Sequence, residues 1–250
     1  MSVLHIAMRE ARAIFTTPVG WLVLCGWLLV TGIFWVASVG MYVAESQNVV
    51  FNPYGAALLN LQDHLVMPFY GNTTVVLVFV VPAVSMRLFS EEFKQRTMEL
   101  LLTSPVSTLE IVLGKYLGAL AFVLVALACT LHFPLTLEYW GEPDLGAIAG
   151  GYLALFSMSA ALLAVGLLAS SFTSNQIVAL VVAFAASLAL YVGGWLADGP
   201  DHWIARLGLL SHLEDMLRGA VRLSDLVYFA GIVGVSLFAT WQRLESFRWR

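Results

Sequence analysis

Long apolar runs alternate along the chain with short polar segments. The runs cover about 19–42, 72–89, 111–137, 145–170, 177–197 and 226–241. A helix rising 1.5 Å per residue needs about 20 apolar residues to cross a bilayer's hydrocarbon core, and each run is near that length. The pattern predicts an all-α membrane protein of six transmembrane helices, one transmembrane domain over 1–250. The first run is longer than the roughly 7–15-residue apolar core of a secretory signal, and no small-residue cleavage site precedes Glu45, so it reads as a retained helix.

The segments between runs carry patterns of their own. Within 1–18, Leu4, Met8, Ala11 and Phe15 share a helical stripe while His5, Arg9 and Arg12 point away, and Thr16-Thr17-Pro18 discourages further helix. This predicts an amphipathic helix lying in the interface against membrane lipids. Between 43 and 70 the turn signal Asn52-Pro53-Tyr54-Gly55 precedes Leu58, Leu61 and Leu65, a stretch expected to rest on the outer surface. The 198–225 segment opens Asp198-Gly199-Pro200-Asp201 and then mixes Trp203, Ile204, Leu207, Leu210, Leu213 and Leu217 with Glu214, Asp215 and Arg218. That mixture suits short helices that dip into the outer leaflet or cover a pathway mouth.

The 90–107 connection concentrates charge. Glu91, Glu92 and Glu99 alternate with Lys94 and Arg96, an apolar patch Leu100 to Leu102 follows, and Pro105 stops the element. Ser107 and Glu110 then form an S-x-x-E capping box opening the third run. A short amphipathic helix held between two spans suits docking into the groove of a soluble partner. Glu91, Glu92, Arg96, Glu99 and Leu101 are its candidate contact residues.

Composition sharpens this picture. With 60% apolar and 11% charged residues, the chain is far from the roughly 25% charge of soluble domains. No acidic or basic residue lies in the middle of a run. With the N-terminus inside, inner segments hold Arg9, Arg12, Arg87, Lys94, Arg96, Lys115, Arg243, Arg248 and Arg250, against Arg206, Arg218 and Arg222 outside. Nine against three follows the positive-inside rule and predicts cytoplasmic termini. A net charge of −4 argues against nucleic acid as a partner. Cys25 and Cys129 lie in apolar runs, which leaves no disulfide framework and no metal site.

Candidate chemistry is sparse. Ion-driven carriers place charge inside the membrane; here His132 is the titratable candidate, and Thr130 and Pro134 can satisfy it within a kinked helix, a structural role that competes with contact to cargo. Weakly polar Ser38, Thr74, Ser85 and Tyr191 complete a candidate pathway. Gly114-Lys115 is no P-loop, because Leu109 and Tyr116 stand where Gly and Ser or Thr are needed. With no intramembrane aspartate pair and no H-E-x-x-H, neither a catalytic set nor a metal site is expected. Ser157, Ser159, Ser187, Gly114-x-x-x-Gly118 and Gly146-x-x-x-Gly150 suit close helix packing.

The stretch 91–115, with Glu92, Thr97, Glu99, Leu101, Leu102, Pro105, Val106, Ser107, Gly114 and Lys115, resembles the cytoplasmic connection of ABC-2 type permeases. Ala169 to Ala179 and Arg218-Gly219-Ala220-Val221 before Asp225-Leu226 resemble the gliding-motility-associated, GldF-like branch. The resemblance implies a non-catalytic half-transporter in a bacterial inner membrane, an exporter paired with a second permease copy or homologue. It implies two cytoplasmic ATPase subunits that hold ATP and Mg, so this chain needs no cofactor. Glu91 to Leu102 becomes the coupling helix entering the ATPase, 1–18 an interfacial connecting helix, and 198–225 outer re-entrant helices. An outer accessory protein fits the same scheme, as does a rival role: transmitting ATP-driven motion to an envelope or gliding machine without moving cargo. Many relatives have Gly where Arg96 precedes Thr97, which makes the helix shape there a point to test.

Overall fold

A computed structural model describes residues 3–51, 60–98, 106–139, 141, 143–193 and 208–248, and every regular element among them is a helix. Helix α1 spans Val3–Thr16 and α2 Pro18–Phe51, with Pro18 at the start of α2, where its missing N–H removes no helical hydrogen bond. A π-helical turn, Gln62–Val66, runs into α3, Met67–Ser85, and after one turn at Met86 α4 covers Arg87–Gln95. Helix α5, Thr108–Thr130, begins with the predicted capping box: Glu110 N–H donates to Ser107 Oγ at 3.2 Å and Ser107 N–H to Glu110 Oε2 at 3.0 Å. A short α6, His132–Leu135, and a 3₁₀ turn follow. Asp144 caps α7, Leu145–Ser170, and Asn175 caps α8, Gln176–Val192. Helices α9, Leu209–Leu217, and α10, Leu223–Arg248, complete the described chain.

Among the described residues, five helical stretches are long and apolar enough to cross a membrane: Pro18–Gln47, Gln62–Gln95, Thr108–Tyr139, Leu145–Ser170 and Leu223–Phe247. They answer to five of the six predicted runs. The remaining run corresponds to α8, which at 17 residues is shorter than a full crossing; positions 194–197 of that run lie outside the described residues.

Two boundaries move. Helix α2 continues nine residues past 42, and the second crossing helix starts near Gln62 rather than at 72. The segment expected to rest on the surface is thereby partly drawn into the core: Leu65 is 2% exposed, and Phe69 and Tyr70 are fully buried. Its apolar face meets protein instead of lipid, with Phe69 edge-on to Trp35 of α2 at 5.2 Å between ring centroids. Leu58 and the 52–55 turn signal lie outside the described residues. So do 198–207 with Trp203, Ile204 and Leu207, whereas Leu213 and Leu217 of α9 are buried.

Helix α7 is the central post, against which α3, α5, α8, α9 and α10 all pack. Small side chains make this possible, since helices in lipid approach closely only where Gly, Ala and Ser line the seam. At Gly151 a Cβ would sit 2.2 Å from the Tyr70 ring, and the Tyr70 hydroxyl donates to Ile148 O at 3.2 Å. Gly151→Val is therefore expected to destabilise the protein by about 1–3 kcal/mol, the usual cost of overpacking, read as a lowered melting temperature in detergent. Trp27 Nε1 joins α2 to α5 by donating to Ala126 O at 3.0 Å.

Candidate functional site

Of the stretch 91–102 expected as a docking helix, 91–95 form the end of α4, which starts earlier at Arg87 and stops at Arg96, and 99–102 lie outside the described residues. In α4, Leu88, Phe89 and Ser90 are buried and anchor its start, while Lys94, Gln95 and Arg96 at its tip are exposed. Gln95 Nε2 donates to Glu91 Oε1 at 3.1 Å, one helical turn back. Thr97 N–H closes the end by donating to Glu92 O at 3.0 Å, and this requires a left-handed residue at Arg96, φ 56 and ψ 26. That geometry costs a non-glycine residue about 1–2 kcal/mol, while Gly's extra backbone entropy costs about 0.5–1 kcal/mol. Arg96→Gly is accordingly expected to raise stability by up to about 1 kcal/mol, measurable as a higher melting temperature.

Charge, too, is arranged locally. Lys115 Nζ of α5 lies 3.1 Å from Glu92 Oε1 and 3.3 Å from Glu10 Oε2 of α1. Its side chain is 3% exposed, and those of Glu10 and Glu92 are 14% and 21%. The Phe89 ring lies 5.6 Å from the ammonium, and the Thr97 hydroxyl donates to Glu92 Oε2. One cation therefore ties α4, α5 and α1 together. The charge pattern counted Lys115 among the inner basic residues; it is buried there, and two carboxylates make that tolerable.

Helix α1 can reach this position because of two glycines in α5. A Cβ at Gly114 would lie 2.6 Å from Ile6 Cβ, and one at Gly118 would lie 2.6 Å from Glu10 Cβ and 2.7 Å from Ala7 O. The Gly-x-x-x-Gly spacing thus seats an N-terminal helix rather than another crossing helix. The buried stripe of α1 is Ile6 and Ile14, with Glu10 between them; Leu4 and Met8 of the predicted stripe are 66% and 43% exposed. Both faces are apolar, so periodicity alone did not say which one would meet protein.

A cleft of about 700 Å³ opens beside the ion pairs, lined among others by Arg9, Arg87, Glu91, Glu92, Gln95 and Thr97. At the same end, Phe93 of α4 lies 5.5 Å from Phe247 of α10, and the Arg243 guanidinium sits 4.6 Å from the Phe247 ring and 5.2 Å from that of Phe172, after α7. The tip of α4 is thereby in touch with α1, α5 and the end of α10.

Of the predicted docking residues, Glu92 turns inward to Lys115, Glu91 faces the cleft and Arg96 is exposed. Glu99 and Leu101 lie outside the described residues. The predicted pathway residues do not converge on one passage. The hydroxyls of Thr74 on α3 and Tyr191 on α8 are 3.1 Å apart. Ser85 is buried, donates to Pro82 O at 3.1 Å and abuts Gly166 of α7. Ser38 is buried with no hydrogen-bond partner among the described residues. His132 is exposed, its Nδ1 2.7 Å from Cys129 O rather than paired with Thr130 or Pro134. Missed altogether were Glu10 and the Tyr152 hydroxyl that donates to Thr130 Oγ1 at 3.2 Å. A signal for the first existed: Glu10 is the one acidic residue in the otherwise basic 1–18 segment.

The family model described as ABC-2 family transporter protein matches residues 44–211, about two thirds of the chain. The match takes in α3 to α8, with Glu92 and Lys115, and leaves α1 and Glu10 outside. No curated protein matches the chain.

Proposed function

The chain belongs to the ABC-2 family of transporter proteins, and on that premise we propose that it is the permease subunit of an ATP-binding cassette exporter of the GldF-like branch, driven by separate ATPase subunits. Membership itself makes it a multi-pass membrane protein whose family supplies the non-catalytic subunit of such transporters. The observation that supports the finer reading is the Lys115 ion pair, which fastens an exposed helix tip to two deeper elements.

The proposal places nucleotide on the partner subunits rather than on this chain. What supports this is that the lysine of the Gly-Lys pair is engaged by Glu10 and Glu92, and Gly114 is covered by Ile6. Two cytoplasmic ATPases, binding ATP and Mg, would each receive one α4 tip: this chain's and that of a second permease copy or homologue. When they close, α4 moves, and the Lys115 pairs carry α1 and α5 with it. Shifting a gate from 1:99 to 99:1 requires about 5.5 kcal/mol of differential binding, within reach of a partner that grips both tips. The membrane is the bacterial inner membrane and both termini are cytoplasmic in this reading, supported by the gathering of Arg9, Arg87, Lys115 and Arg243 at one end of the bundle. The Thr74–Tyr191 hydroxyl pair is the best-supported pathway candidate. An outer accessory protein is part of the same proposal.

The test is purification of the full chain from its own host in mild detergent. An ATPase subunit is expected to come with it. Its absence, under conditions that preserve a known permease complex, would overturn the reading. Arg96→Glu is expected to weaken that association at least tenfold while membrane insertion, followed by fractionation, stays unchanged; equal recovery of ATPase would show that the tip is not the docking element.

A further inference from the structure

A second cleft, of about 690 Å³, lies at the far end of the molecule. Tyr42 lines it and Thr17 lines the first cleft; from Pro18 to Tyr42 helix α2 rises about 36 Å, so a bilayer's thickness separates the two. The volume falls within the range of small-molecule sites. Its polar lining comes from Tyr42, Asn60, Gln62, Asp63, Asp144 and Arg218.

Several groups there are uncommitted. Gln62 Nε2 is buried with no hydrogen-bond partner, and a buried donor left unpaired is costly. Asp63 and Arg218 face the cleft without an ion pair among the described residues. Asp144 uses one carboxylate oxygen to accept from Gly146 N–H and Ala147 N–H, at 2.9 and 3.2 Å, which leaves the other available. The wall is built rather than incidental. Gln62 and Asp63 sit on a π-helical turn, a distortion common at functional sites. Arg218 is fixed at the rim because the next residue, Gly219 at φ 93, presses its backbone onto α7: a Cβ at Gly150 would lie 2.8 Å from Gly219 Cα.

Depth and charge select the ligand. Asp144 begins a 26-residue apolar helix and Tyr42 ends the first apolar run, so the cleft sits at headgroup level. Two carboxylates beside one guanidinium suit a group carrying both a primary ammonium and an anion. We infer that this cleft binds an aminoalkyl phosphate, the chemistry of a phosphoethanolamine headgroup. Arg218 takes the phosphate as a planar fork, and Asp63 and Asp144 accept N–H bonds from the ammonium. The inference stands apart from ATPase coupling, so its test needs only the full chain.

The chain is placed in phosphatidylglycerol nanodiscs and titrated calorimetrically with phosphoethanolamine, phosphocholine and inorganic phosphate. Phosphoethanolamine is expected to saturate one site. Phosphocholine, with no N–H to give the carboxylates, should bind about tenfold more weakly. Arg218→Gln and Asp63→Asn should each weaken phosphoethanolamine at least tenfold with unchanged melting temperatures, since both side chains are exposed. Native mass spectrometry after extraction from mixed phosphatidylethanolamine and phosphatidylglycerol discs identifies the source. Retained phosphatidylethanolamine that Arg218→Gln loses means a lipid headgroup; binding of the free compound alone means a soluble ligand of the same chemistry. No saturable binding of either form, equal binding of phosphocholine, or an anion site indifferent to Asp63→Asn would each overturn the inference.

Discussion

Lys115→Met is expected to destabilise the protein by about 3 kcal/mol and to abolish the ATPase response to partner docking. Removing one member of a buried ion pair leaves an uncompensated charge and typically costs about 3–5 kcal/mol. Here two carboxylates lose their cation at once, but both keep some access to water, with 14% and 21% of their side chains exposed, so the lower end applies. Denaturation in detergent measures the first effect, and ATP turnover of the reconstituted complex the second. A triple variant, Glu10→Gln with Glu92→Gln and Lys115→Met, separates stability from coupling. Replacing a whole buried ion cluster by neutral groups is often nearly neutral, so folding should recover. Coupling should not, because nothing then fastens α4 to α1. Recovery of both would reduce the cluster to a structural device.

Much of the fold was legible because the bilayer imposes its own arithmetic. A helix in hydrocarbon needs about 20 apolar residues, and the runs at 145–170 and 226–241 correspond to the long helices α7 and α10. The capping box at Ser107 was legible for a similar reason: both partners lie within four residues. What failed to show was whatever depends on residues brought together from afar. Lys115 pairs with positions 92 and 10, separated from it by 23 and 105 residues, and no local pattern marks such a pairing. The start of the second crossing helix was missed where Phe69 and Tyr70 pack on protein, since an apolar residue at a span's end looks alike whether lipid or another helix covers it. The Gly114-x-x-x-Gly118 spacing was read correctly as close packing, but the helix that fills it is α1, whose Ile6 and Ile14 face was no more apolar in sequence than its Leu4 and Met8 face.

That seam yields the second large effect. Gly118→Leu places a side chain where Ala7 O and Glu10 Cβ already stand, at 2.7 and 2.6 Å from the new Cβ. Ala7 O is backbone and cannot turn aside, so α1 must leave α5. Overpacking of this kind costs about 1–3 kcal/mol, but the consequence for coupling is larger than the loss of stability. Once α1 is displaced, Glu10 leaves Lys115, and motion at α4 reaches α5 alone. Gly26→Leu, at a position of α2 where an added Cβ meets nothing within 4 Å, offers the complementary measurement. It is expected to leave both the melting temperature and ATPase coupling unchanged, whereas Gly118→Leu lowers both. If Gly118→Leu retains full stability and full coupling, α1 is not held by this seam. The ion cluster would then have to act through α4 and α5 without it.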